Sequence, residues 1–561
     1  MLSCSAPVTQ ADDVITRGRE LFQQQCSACH ALASDGFGPP LGGVTSLVPE
    51  ERLVAWVRDP AAVLASGDAR ANALLARYKI PMPAFAHLTP AEVSAILAFV
   101  RAESAAQGLK PFEFDAATPL APGVRLAPPV EPGGIAIELE DYAQIPRLPG
   151  RTAYKGITLL RPDPREAGVL LVDDLMGLLY RVKDRQPAVF LDVRPFFPDF
   201  MCDPGVASGL GSFALHPDFT RNGLFYTTHS EHRRGRPVVN ATDIPSDVPP
   251  FETPPIEWVL TEWKLDDPAA AVFAGTHREV LRLVTPTTGH GSQEINFSPV
   301  TDRRDPDFGQ LYWGLGDGGS INLKRHDMAG HPRTFQGAIL RIDPAGTNGP
   351  NGQYGIPADN PFAAHPDPAV RREIWAYGFR NPHRFTWDFR HKRRMIAVDI
   401  GESNLEEINL IEPGGAYGWG VGHLEGTARI DAKIDPKVVH PATAEELAPF
   451  VAPLAQYDHH DGASVTGGCV YEGPLAALRG KYVFGDMVNG RLFFLNLDAG
   501  LTDRTIRELT VMHDGRPTDL KTLSGDERAH LRLGYDGRTG DLFVLTKRDG
   551  MIRRVVKAEV R

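Results

Sequence analysis

The sequence predicts a multidomain protein, a small all-α domain followed by an all-β six-bladed propeller. Three observations predict it. The pentapeptide Cys26-Ser27-Ala28-Cys29-His30 sits in a helix-patterned stretch near the start. Prolines at 111, 119, 122, 128, 129, 132, 146 and 149 then accumulate where apolar periodicity disappears. From residue 151 one strand-and-turn unit recurs six times, with no useful helical pattern between copies. The expected boundaries are an N-terminal tail 1–12, a helical domain 13–105, a stiff Pro-rich linker 106–150 and a propeller 151–561.

In the first domain, residues 13–25 read as a helix that delivers the pentapeptide, with Val14, Gly18, Leu21 and Phe22 on one face. C-x-x-C-H is the spacing for covalent haem attachment, in which the thiols add to the vinyls and the adjacent imidazole meets the iron. A redox C-x-x-C or half of a zinc site competes with that reading. Gly38-Pro39-Pro40-Leu41 is a rigid turn, residues 49–57 a second helix, and Thr89 with Glu92 a capping box opening a last amphipathic helix. This frame resembles a class I cytochrome c. The resemblance implies haem c on Cys26 and Cys29, with His30 and Met82 as iron ligands. Met82 is a thioether held between Pro81 and Pro83, and such a ligand raises the reduction potential. Nine acids against eight bases leave this domain nearly neutral, so strong electrostatic docking is not indicated.

The recurring unit is a turn, a run of β-branched, aromatic or aliphatic residues, then Asp, His or Thr. Copies begin at Gly168, Gly223, Gly309, Arg394, Gly480 and Gly540, and most precede a second short strand. Repeated antiparallel pairs with long connections read as propeller blades whose loops gather at one end of a channel.

Four stretches carry a further resemblance: 209–219 (Gly-Leu-Gly-Ser-Phe-Ala-Leu-His-Pro-Asp-Phe), Gly289-His290-Gly291-Ser292, Gly314-Leu315-Gly316-Asp317-Gly318-Gly319 and Tyr377-Gly378-Phe379-Arg380-Asn381-Pro382. Residues 399–419 agree in order and spacing. The series resembles the glucose/sorbosone dehydrogenase family of six-bladed propellers. That implies pyrroloquinoline quinone (PQQ) and Ca2+ at the channel mouth and oxidation of a sugar or other alcohol. By position, His290 matches the general base, Asp317 the carboxylate that orients it, and Arg380 and Asn381 the groups facing the quinone. Gly401 and Glu402 match the pair whose backbone carbonyls hold Ca2+. The family's basic pair near the C-terminus is represented in part by Arg532, with His530 nearby. Ala207 and Val488 stand where a quinone-binding Gln and Lys are expected, and Glu294 replaces an Arg, which removes positive charge opposite a tricarboxylate.

Fifty-nine Lys and Arg against 70 Asp and Glu exclude the basic field that nucleic acid requires. No apolar run is long enough to span a bilayer, and residues 1–4 lack secretory-signal character. Cys4 reads either as a lipid-anchor site, its signal absent from this chain, or as incidental. Cys202 and Cys469 read as a disulfide or as free thiols, and the insertion 231–255 as a segment able to reshape a pocket. The function expected is an extracytoplasmic dehydrogenase, periplasmic or extracellular, passing electrons to its own haem and on to another cytochrome or a copper protein. A propeller without quinone, acting as a carbohydrate-binding module or a Ca2+-dependent lactonase with His290 as base, remains the alternative.

Overall fold

The computed structural model describes residues 10–27, 29–33, 38–78, 81–112, 125–148, 156–202, 208–243, 256–321, 323, 325–391, 393–430, 439–497 and 500–561. Cys4, Ala207 and part of the 231–255 insertion lie outside them. The chain divides into a helical unit up to Val124 and a β unit from Arg125.

In the helical unit, Gln10–Gln25 and Pro90–Gln107 are the longest helices, with Glu50–Arg58, Pro60–Ala65 and Ala69–Tyr78 between them. The expected capping box is present: Glu92 N donates to Thr89 Oγ1 at 3.3 Å, and Thr89 N to Glu92 Oε2 at 2.9 Å. Leu21, Phe22, Ile96, Phe99 and Val100 are buried, and Phe22 meets Phe99 with ring centroids 5.3 Å apart. Gly18 marks where the long helices approach, since a Cβ there would lie 2.0 Å from Ala95 O. Val14, expected on the buried face, is 43% exposed. The short Pro60–Ala65 and Ala69–Tyr78 helices were not expected from the sequence. Among the described residues no helix is long and apolar enough to cross a membrane.

The β unit holds four separate four-stranded antiparallel sheets. The first is Ile157–Pro162, Leu170–Asp174, Leu178–Lys183 and Gln186–Asp192. The second is Leu210–Leu215, Leu224–His232, Ile256–Leu265 and Gly275–Thr285, and the third Ser292–Phe297, Leu311–Leu315, Ala338–Ile342 and Ile374–Tyr377. The fourth is Pro382–Asp388, Arg394–Asp399, Leu405–Ile411 and Ala455–Asp458. The remaining long strands form one nine-stranded sheet, from Cys469–Val470 at one edge to Leu531–Asp536 at the other. Six separate blades were expected; the last two copies are instead joined into one sheet.

The joint is Glu131–Gln144, which pairs parallel to Arg507–His513 and antiparallel to Met551–Val560. About a third of the segment expected to be a linker, 106–150, is therefore a strand. Its Ile135, Ile137 and Leu139 alternate and are buried, a period of two that the neighbouring prolines obscured. Each recurring sequence unit occupies the second strand of its array. The first strands were not in the repeat, yet they contact one another in order, and Leu531–Asp536 returns to Ile157–Pro162. They line a closed central channel, with the large buried side chains, Trp258, Trp263 and Trp313 among them, packed outside it.

Candidate functional site

The helical unit continues directly into its motif. Cys29 N and His30 N both donate to Cys26 O at 3.0 Å, so the pentapeptide is a tight turn with half-buried thiols. His30 Nδ1 lies 2.9 Å from Pro39 O. Donation to that carbonyl selects the tautomer whose Nε2 carries the lone pair that an iron ligand needs. A Cβ at Gly38 would lie 2.3 Å from the imidazole, so only glycine lets the Pro39 turn close over His30. Burial, with Cys29 beside it, pushes the Cys26 thiol up to about 12, the opposite of what a redox dithiol needs. Met82 lies half-buried in a segment that is neither helix nor strand. These residues fit covalent haem.

At the channel mouth the repeat itself provides the reference. Four copies place an Asp at or just past the end of their second strand. Asp173 accepts Leu159 N at 2.7 Å, Asp399 accepts Arg380 N at 2.9 and Asn381 N at 2.6 Å, and Asp486 accepts Ala463 N at 2.6 and Ser464 N at 2.8 Å. In each case the carboxylate ties down backbone amides of the same array's inner strand or of the chain entering it. Asp317 departs from this pattern. Its Oδ1 faces His290 Nδ1 at 2.8 Å, and its Oδ2 accepts Ser320 Oγ at 2.7 and Trp419 Nε1 at 3.0 Å. His290, at φ +46, is in the left-handed region, a strained state for a non-glycine residue. Gly316 makes room for it, because a Cβ there would sit 2.4 Å from His290 O. Burial alone would raise the Asp317 carboxyl; the His290 bond and charge, then Arg380 and Ser320, hold it well below the usual range. The dyad thus pairs the His290 imidazole with an anionic anchor.

Arg380 is buried beside it, with its carbonyl accepting Asp317 N at 2.8 Å. Its guanidinium pairs with Glu402 and donates to Ile400 O at 3.1 Å, so the head expected to face a ligand is already neutralised. Asn381 is buried with no partner for Oδ1, an acceptor that a ligand or water must satisfy. At Gly401 a Cβ would lie 1.8 Å from Leu405 O. The nearby Glu425 accepts Asn404 N and Leu405 N, both at 2.9 Å, and among the described residues no group of three or more His, Cys, Asp or Glu could hold a metal.

Arg532 is not part of this group. It lies deeper, beside Arg384, both hydrogen-bonded to Thr158. Burial, with Arg384 adjacent, pushes Arg532 down to about 9. Glu294 has a structural use: it pairs with Arg161 at 2.6 Å and accepts Phe385 N at 3.0 Å, tying three inner strands across the channel. Val488 is buried, its N donating to Asp486 at 3.1 Å. Cys202 and Cys469 are not bonded to each other. The sequence reading assigned nothing to Trp419, Asp399 or Arg384. Asp399 carried a signal as the residue that ends a repeat, and Trp419 as the last residue of the 399–419 stretch; Arg384 carried none.

These features define a β-propeller with a histidine–carboxylate pair at its channel mouth, preceded by a cytochrome c domain. The Cytochrome c family model matches residues 15–103. The Glucose / Sorbosone dehydrogenase family model matches residues 197–554, and the chain belongs to that family. It is similar to the HIPL1 protein of Arabidopsis thaliana, 27% identical over 67% of this chain and 57% of that protein. It is 25% identical to quinoprotein glucose dehydrogenase B of Acinetobacter calcoaceticus over 40% of this chain and 42% of that protein. The chain spans about half the length of the curated relatives it matches. Among solved structures, the soluble aldose sugar dehydrogenase of Escherichia coli, in apo form, shares the fold with a TM-score of 0.51 and 19% identity, over 76% of this chain and 100% of that one.

Proposed function

We propose that the protein is an extracytoplasmic oxidoreductase whose propeller, read as six blades with the fifth and sixth joined edge to edge, oxidises a sugar or other alcohol and whose haem c receives the electrons. The observation that carries this reading is the diversion of Asp317 from the structural role its repeat equivalents play to the support of His290. His290 Nε2 takes the proton of the substrate hydroxyl, and Asp317, locked by Ser320 and Trp419, stabilises the imidazolium that results. Pyrroloquinoline quinone, when bound, supplies the two-electron acceptor. Asn381, with its unsatisfied Oδ1, and Arg380 would hold it. Because Glu402 and Glu425 are engaged, a Ca2+ ion would be held by the backbone carbonyls of Gly401 and Glu402 rather than by side chains. The partners are a small alcohol or sugar and a downstream cytochrome or copper protein.

The test uses full-length protein expressed with a haem-attachment system and supplied with PQQ and Ca2+. The intact mass should carry one haem, and a panel of aldoses and alcohols should include substrates that reduce it. His290→Ala should slow that reduction about a hundredfold or more, the scale of losing a positioned base. Unchanged reduction in His290→Ala, or no reduction with any substrate, would overturn the reading in favour of a binding or hydrolytic propeller.

A further inference from the structure

The Gly209-Leu210-Gly211-Ser212 and Gly289-His290-Gly291-Ser292 stretches each hold a glycine that the histidine–carboxylate pair does not explain, and both of these glycines face the same side chain. Trp258, the third residue of Ile256–Leu265, is fully buried in the cluster that also holds Leu260, Leu283, Ile295 and Trp313. A Cβ at Gly291 would have this indole as its three nearest atoms, 2.0 Å from Nε1, 2.5 Å from Cε2 and 2.8 Å from Cζ2. A Cβ at Gly211, on the inner strand of the second sheet, would lie 3.3 Å from Cζ3 of the same ring. Neither glycine is in the left-handed region, so the ring and not the backbone conformation selects them.

The ring is held by shape. Trp258 Nε1 is buried with no acceptor among the described residues, whereas Trp313 in the same cluster donates to Ser292 Oγ at 2.8 Å. An unsatisfied buried donor is costly, so what the protein uses at position 258 is the bulk of the ring. That bulk abuts the residue that follows His290. The same turn is also stitched to the Asp317 loop of the third sheet: Gly316 N donates to Gly291 O at 2.9 Å and Gly318 N to His290 O at 3.1 Å, and a Cβ at Gly316 would lie 2.6 Å from His290 Cβ. His290, at φ +46, thus sits in a turn held from two neighbouring sheets. A non-glycine residue keeps such a conformation only where its surroundings over-determine it.

We infer that Trp258 is a positioning residue: its indole, lodged between Gly211 and Gly291, holds the turn that keeps His290 in the left-handed conformation with Nδ1 on Asp317. Ser320 and Trp419 fix the carboxylate end of the pair, and Trp258 fixes the imidazole end from the adjacent sheet. The consequence for catalysis rests on the function proposed above; the placement of His290 does not.

Two readouts on the full-length protein separate these. With 15N-labelled histidine, the Nδ1–H that His290 donates to Asp317 should give a downfield resonance, assigned by its loss in His290→Gln. Trp258→Leu should remove it and lower kcat for haem reduction by about tenfold to a hundredfold, the scale of a small misplacement of a catalytic group, with KM little changed. Gly291→Ala, which keeps the indole but drives a methyl group into it, should do the same. In the Trp258→Leu background that methyl has room, so the double variant should be no worse than Trp258→Leu alone. Trp258→Phe, which gives up part of the ring, should fall between Trp258→Leu and wild type. The inference is overturned if wild type lacks the resonance, if the resonance survives unchanged in folded Trp258→Leu or in Gly291→Ala, or if the effects of the two substitutions multiply. Should Trp258→Leu fail to fold, Gly291→Ala and Trp258→Phe decide the case. A wild type that reduces its haem with no substrate would reject the dehydrogenase reading, while the resonance still judges Trp258.

Discussion

The two units hold their candidate sites by opposite means. In the helical unit the motif spans five consecutive residues, and the bond that orients His30 reaches a carbonyl nine residues away. In the propeller, His290 and Asp317 are 27 residues apart, Asp317 and Trp419 102, and Arg532 and Thr158 374. The first site follows from helix and turn stereochemistry and needs little of the remaining chain. The second exists only once the inner strands close a ring, so its integrity depends on packing far from any chemistry. Damage to ring closure should therefore erase one site and spare the other.

The largest effect is expected at the joint. Ile137 is fully buried in Glu131–Gln144, and Ile137→Asp places an unpaired charge there, at a cost of about 4 kcal/mol or more. Thermal unfolding followed by far-ultraviolet circular dichroism should show the β transition collapse, while haem absorbance keeps its own transition. A shared loss of both signals would break the contrast between local and distributed sites.

A smaller effect separates the units by pH. Burial pushes Asp173 up to about 7, against about 3.9 in an unfolded chain. The folded state therefore binds more protons between those values, and its advantage, full below about pH 4, is lost as pH rises through 7. Asp173→Asn keeps an acceptor for Thr158 N and Leu159 N but removes the titration. The decline in propeller stability from pH 5 to pH 8 should shrink by on the order of 2 kcal/mol, with the helical unit unaffected. An unchanged slope would show that Asp173 is ionised in the fold.

The smallest effect lies in the helical unit. Thr89→Ala removes the cap on Pro90–Gln107 and should cost about 1 kcal/mol. It should appear as a lower denaturation midpoint of the haem signal with the β signal unmoved. A matching shift in the β signal would mean that the units unfold together.

The same contrast explains what could be read before any coordinates. Cys26, Cys29 and His30, the Thr89–Glu92 box and the helix that delivers the motif were legible, because each rests on contacts a few residues apart that leave a period or a spacing in the chain. The recurring strands were legible for the same reason, and they proved to be one strand of each array. Glu131–Gln144 was not, since its alternation is short, prolines flank it, and its partners lie some four hundred residues away. The sequence by itself determined that a haem-attachment domain precedes a β-repeat, and it marked His290, Asp317, Arg380 and Asn381. Only the tertiary structure decided that the Arg380 head is paired with Glu402, that Glu294 braces the channel, that Trp419 completes the Asp317 anchor, and that Arg384 and Arg532 meet at Thr158. Ring closure brings these residues together, and none of their pairings leaves a local trace, because a blade's sequence encodes its own pleat and not the side chains it will face across the channel.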